Sequence, residues 1–230
     1  MSSWKSSRSR RSVRLYGSAI FFLYYFMLGI MLPAYGGEIT GRVISTDGTG
    51  VAQAVVFVQE LPAGATPQPS AHSTIMDQVN KAFVPDLLPI VVGTEVRFPN
   101  HDQIHHHVYS FSRTKSFELP LYKGENVPPV LFDKAGVVKI GCNIHDWMLG
   151  VILVLPTPYY AITDESGRFV LRNLRADAYT LACWHMLSQS KPEETAQQIR
   201  VNENSAEVTF RLVLTAARSR PAIRGARGTQ

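Results

Sequence analysis

The segment Cys142-Asn143-Ile144-His145-Asp146-Trp147-Met148 sets a thiol, an imidazole and a thioether at three-residue intervals. One soft thiolate, one imidazole and a weak thioether form a donor set that suits copper. Cu(II) prefers tetragonal nitrogen and oxygen coordination, whereas Cu(I) tolerates low coordination and soft ligands. A rigid site of two histidines and one cysteine, with a long axial methionine, lies between these demands, so little geometry changes on electron transfer. Such a site needs one more histidine from elsewhere in the chain. The stretch FPNHDQIHHHVYSFS, residues 98–112, supplies candidates in His101, His105, His106 and His107.

These donors must be held by β structure. From Glu38 onward, short runs rich in Val, Ile, Phe and Tyr alternate with Gly, Pro, Asn and Asp, the pattern of strands and turns. Strands are expected at 39–45, 54–59, 90–92, 94–98, 107–111, 137–141, 151–155, 160–163, 168–171, 179–184 and 206–214, with a Pro/Gly/Ser-rich loop over 62–73. No long stretch has helical periodicity, and the spacing suits a sandwich or barrel. The three clustered donors fall in the loop between Val137–Gly141 and Val151–Leu155, where a loop can wrap a metal. The distant histidine would tie that loop to a different strand.

The segments 98–112 and 142–148 resemble the small blue-copper carriers amicyanin and plastocyanin of the cupredoxin family. The Cys-x-x-His-x-x-Met spacing matches the short ligand loop of amicyanin. Asn100, His106 and Val108 match the upstream pattern. MDQVNKAFVP (76–85), FPNHDQIHHHVYSFS and GCNIHDWMLG (141–150) are similar to bacterial "methylamine utilisation" plastocyanin-like proteins, over about a third of the chain. The resemblance implies a Greek-key β-sandwich holding one type 1 copper ion through His106, Cys142, His145 and Met148. It also implies electron exchange through His145 with a redox protein partner, a dehydrogenase or cytochrome, docking near His145 and Trp147. Strand alternation turns His105 and His107 away from His106. Two positions depart from the family: Asp146 stands where amicyanin-type loops carry proline, and His107 where the small carriers often have asparagine.

A second resemblance concerns the flanks. Gly41-Arg42-Val43, Asp47-Gly48 and Ala54-Val55-Val56, together with Thr163-Asp164, Gly167-Arg168-Phe169, Asn173-Leu174 and Tyr179-Thr180-Leu181, resemble the transthyretin-like sandwich called the carboxypeptidase regulatory-like domain. The expected organisation is all-β: a copper domain over 70–156 interrupting a regulatory-like sandwich made of 38–61 and 157–214.

The formal charge of +5 resides at the ends. Five basic residues lie within the first fourteen positions and four within the last thirteen, none balanced by an acid, which leaves fourteen basic against eighteen acidic residues between them. The folded part therefore offers no nucleic-acid-binding surface, and 215–230 reads as a basic disordered tail. The basic start precedes an uncharged run from Leu15 to Gly37 ending in Ala34-Tyr35-Gly36. Residues 1–36 thus read as a secretory signal, or as an uncleaved membrane anchor, and place the remainder in the periplasm. Cys142 is assigned to the metal and Cys183, among apolar neighbours, to the core, so no disulfide is expected. Nothing indicates an enzyme: Cys142 lacks the flanking histidines of a multicopper oxidase, and no nucleophile elbow or metalloprotease motif occurs. The alternatives to an electron carrier are a partner-binding β module and a copper-delivery protein.

Overall fold

The computed structural model describes residues 37–62, 64, 73–202 and 205–215. The expected export segment and the basic tail from 216 lie outside the described residues. Among the described residues no helix is long and apolar enough to cross a membrane.

The described residues form seventeen strands and one short 3₁₀ turn. They are β1 (Gly37–Ser45), β2 (Val55–Glu60), β3 (Ser73–Ile75), β4 (Asp77–Val79), β5 (Ala82–Val84), β6 (Leu87–Val91), β7 (Thr94–Arg97), β8 (His106–Phe111) and β9 (Ser116–Tyr122). There follow β10 (Val130–Phe132), β11 (Gly136–Cys142), β12 (Leu149–Leu155), β13 (Tyr160–Ile162), β14 (Arg168–Leu174), β15 (Asp177–Trp184), β16 (Gln197–Val201) and β17 (Ala206–Leu212). The all-β class expected from the sequence is what the structure shows. Several strands had no clear pattern in the sequence. β9 carries Pro120, which a strand tolerates at a sheet edge, and β9 is the edge of its sheet. β4 and β5 are joined by Asn80-Lys81, both at positive φ. This is a two-residue hairpin turn without the glycine that usually announces one.

The strands form two sandwiches. In one, the sheet β14-β1-β17 faces the sheet β13-β2-β15-β16. Its core holds Ile39 and Val43 from the first sheet, Val56, Val58, Leu181 and Cys183 from the second, and Phe210 from β17. In the other, the five-stranded sheet β6-β12-β11-β8-β9 faces the small sheet β10-β7-β3. There Val108, Val138, Ile140, Ile152 and Val154 meet Val96, Val130 and Phe132.

A third apolar core joins them. Val55, Phe57, Ala182 and Trp184, on the outer face of β2 and β15, pack with Leu87, Val151, Leu153 and Leu155, on the outer face of β6 and β12. Four of the five sheets of the described residues are therefore stacked. The two middle sheets of the stack are buried on both faces where β2, β15, β12 and β6 lie. This explains the unbroken apolar runs Val55-Val56-Phe57-Val58 and Val151-Ile152-Leu153-Val154-Leu155. A strand with one wet face alternates, whereas a strand covered on both faces reads as a continuous hydrophobic run.

Local turn chemistry closes the first sandwich. The Asp164 carboxylate accepts the backbone N–H of Ser166 and of Arg168. Gly167 sits at φ +77, and a Cβ there would lie 2.2 Å from the Val43 carbonyl oxygen, so only glycine fits.

Both cysteines are free and buried. Burial pushes the Cys183 thiol up to about 12. The reactive species is the thiolate, so Cys183 is expected to resist alkylation in the native protein. Mass analysis after iodoacetamide treatment should find it modified only in denaturant; modification under native conditions would contradict this packing.

Candidate metal centre

The site is assembled by strand pairing. β11 ends at Cys142 and turns through 143–148 into β12. The loop is closed by its own backbone: Cys142 N–H donates to Met148 O at 3.2 Å, and Met148 N–H donates to His145 O at 2.9 Å. On its other side β11 pairs with β8, Cys142 opposite Val108. His106 lies two residues before Val108 and so on the same inward face. Pairing of β11 with β8 thus carries His106 to the cysteine.

The result is a buried cluster. The donor atoms of His106, Cys142 and His145 all lie within 4.8 Å of one another. His106 Nδ1 is 3.7 Å and His145 Nδ1 is 3.8 Å from Cys142 Sγ. The imidazole rings meet edge-on, with centroids 5.0 Å apart. Metal–nitrogen and metal–sulfur bonds of about 2.0 and 2.3 Å, meeting at about 120°, would separate such donors by about 3.7–3.8 Å. Both sulfur–nitrogen separations fit a His₂Cys metal site. Met148 is 1% exposed and lines the same core as Cys142.

The other sequence candidates fall elsewhere. His105 is exposed, and His107 turns outward to Glu118, Nε2 to Oε1 at 2.9 Å. His101 Nδ1 pairs with the Asp77 carboxylate at 2.8 Å, and its Nε2 faces Glu125 at 3.3 Å. Asp146 is exposed. Met76 is a core residue, and Met186 is half exposed.

Supporting groups surround the cluster. Asn100 Nδ2 donates to Ile104 O at 2.9 Å and to Tyr122 O at 3.0 Å, and its Oδ1 accepts Asp102 N–H at 3.0 Å. Asn100 thereby sets the path of the loop that leads into His106. Gln78 Nε2 reaches Phe98 O and Pro99 O, each at 3.1 Å, and joins the buried Tyr122 hydroxyl. Asp102, absent from the sequence-based expectations, meets His106 Nε2 at 2.8 Å. Burial pushes the Asp102 carboxyl up, but hydrogen bonds from His106, Lys81 N–H and Asn80 N–H outweigh that and hold it below its usual value. His145 is lowered by burial first, then by the His106 and Lys81 charges. A depressed imidazole stays neutral and keeps its lone pair available for a metal.

The mouth of the site is apolar. Trp147 is 48% exposed with its ring centroid 5.2 Å from that of His145, and Ile144 and Leu149 beside it are also exposed.

No protein-family model and no curated protein matches this chain. Solved structures similar to part of it are cupredoxins and a copper-containing reductase. A purple cupredoxin from Nitrosopumilus maritimus is 26% identical, covering 36% of this chain and 99% of its own at a TM-score of 0.32. A reduced amicyanin variant is 22% identical, covering 44% of this chain and 98% of its own at 0.33. The copper-containing nitrite reductase from Thermus scotoductus is 26% identical over 42% of this chain, which spans 25% of that enzyme, at 0.35.

Proposed function

We propose that this protein is an exported type 1 copper protein that exchanges single electrons with a redox protein partner. His106, Cys142 and His145, with the buried Met148 beside them in the chain, would hold the copper. The observation that carries this reading is the convergence of two imidazole Nδ1 atoms on one buried thiol at near-equal distances. When bound, copper would supply a one-electron couple; the protein supplies two imidazoles and a thiol already gathered in its buried interior. Burial of His106 and Cys142 excludes water. His145, 8% exposed among Trp147, Ile144 and Leu149, brings one ligand edge to the apolar surface where a dehydrogenase or cytochrome would dock. The sandwich formed by β1, β2 and β13 to β17 supports a regulatory-like domain over 38–61 and 157–214, interrupted by a copper domain over 70–156. The basic and apolar start of the chain supports periplasmic export.

Titration of the purified protein with Cu(II) should give one equivalent bound and an intense visible thiolate-to-copper band. A one-electron reductant should bleach that band and an oxidant restore it. A colourless protein would overturn the copper reading. A coloured protein that loses its metal on reduction would favour copper delivery over electron exchange.

A further inference from the structure

The carboxylate of Asp102 joins two parts of the structure that are distant in sequence. Its Oδ1 accepts Asn80 N–H at 2.6 Å, and its Oδ2 accepts Lys81 N–H at 2.7 Å. Oδ2 also meets His106 Nε2 at 2.8 Å. Asn80 and Lys81 are the two turn residues of the β4–β5 hairpin, at φ +55 and +58. That conformation aims both amides at one point. An ionised carboxylate only accepts hydrogen bonds, so His106 Nε2 must carry the proton. In the neutral ring the other nitrogen, Nδ1, then carries the lone pair, and Nδ1 faces Cys142 Sγ. The His106 side chain is fully buried and that of Asp102 is 13% exposed, so water competes weakly for this contact.

We propose that Asp102 is a positioning residue: with the Asn80–Lys81 turn as its anchor, it fixes the ring orientation and tautomer of His106 before any metal arrives. This rests on the copper reading only for its effect on metal affinity. The tautomer is a property of the protein alone. A carboxylate behind a ligand histidine also raises the basicity of that ligand and favours the more highly charged metal state. Asp102 thus biases the site toward Cu(II).

The test uses the full chain with Asp102→Ala and Asp102→Asn, and Asp146→Asn as a control that removes a charge from an exposed loop position out of contact with His106. ¹⁵N spectra of the metal-free protein at about pH 8, above the ordinary imidazole range, report the His106 tautomer. Wild type and Asp146→Asn should show the Nε2–H form alone. Asp102→Ala should populate both forms, and exchange of the Asn80 and Lys81 amides should rise by about tenfold or more, the effect of losing a charge-assisted hydrogen bond. Asp102→Asn is nearly isosteric and carries the test if the alanine variant fails to fold. One end of its amide must turn N–H donors toward N–H donors, so it should either free Asn80 or disturb His106. In copper-loaded protein, Cu(II) affinity should fall roughly 10–100-fold in Asp102→Ala and Cu(I) affinity by less, raising the potential by about 59 mV for each tenfold between the two. A single Nε2–H form with unchanged amide exchange in both Asp102 variants overturns the proposal, as does an equal potential shift in Asp146→Asn. Failure of wild type to bind copper would instead overturn the function and leave the tautomer result standing.

Discussion

Cys142→Ser is expected to abolish the visible copper band completely while leaving the fold intact. The band requires electron density to move from a thiolate to Cu(II), and a serine hydroxyl is neither ionised near neutral pH nor soft. Copper affinity should fall by more than the roughly 10–100-fold typical of losing a residue that merely braces a ligand, because a donor itself is gone. Serine is close to cysteine in size, so the buried site stays filled and the thermal midpoint should move little. Circular dichroism and copper titration, run on the same samples, separate loss of metal from loss of structure. Cys183→Ser provides the contrast. Cys183 lies in the core of the other sandwich, so its replacement should keep the band. Retention of the band in Cys142→Ser would remove the thiolate from the site and leave two histidines that cannot form a blue centre.

Leu153→Ala carries the largest expected effect on stability. β12 presents Ile152 and Val154 to the core of the metal-site sandwich. It presents Val151, Leu153 and Leu155 to the core between the sandwiches. Leu153 is 2% exposed. Truncating such a leucine costs about 2–5 kcal/mol, a large part of the roughly 5–15 kcal/mol that holds a domain folded. For a chain of this size that lowers the midpoint by roughly 5–15 °C. Because Leu153 packs with Phe57, Ala182 and Trp184 of the other sandwich, the loss should be shared. Loss of β-sheet circular dichroism and loss of the copper band should coincide in wild type, and should shift together in the variant. Two separated transitions, only one of them moved by Leu153→Ala, would show that the third core does not couple the sandwiches. The coupling bears on the site directly, since β12 begins at Leu149, immediately after Met148. A strand clamped on both faces gives the ligand loop a rigid exit.

Part of this protein is written locally in its sequence. The all-β class follows from short Val/Ile/Phe/Tyr runs punctuated by Gly, Pro, Asn and Asp, because strand and turn propensities act within a few residues. Cys142, His145 and Met148 share one loop, so three-residue spacing alone brings a thiol, an imidazole and a thioether together. The chemistry of those donors, soft sulfur beside imidazole, is a property of residue type and needs no coordinates. What the chain could not display by itself depends on pairing over long distances. His106 meets Cys142 because β8 pairs with β11 across 36 residues of sequence; the register, set by Val108 opposite Cys142, selects His106 and turns His105 and His107 away. Asp102 had no signal, being one carboxylate in an irregular loop. Its role exists only because the β4–β5 turn, with Asn-Lys in place of a glycine, folds back onto it. The four-layer stack left a trace in the unbroken apolar runs of β2 and β12, but such a run is equally compatible with other buried settings. Which face meets which core is decided when the sheets close on one another, where burial of both faces outweighs any local preference.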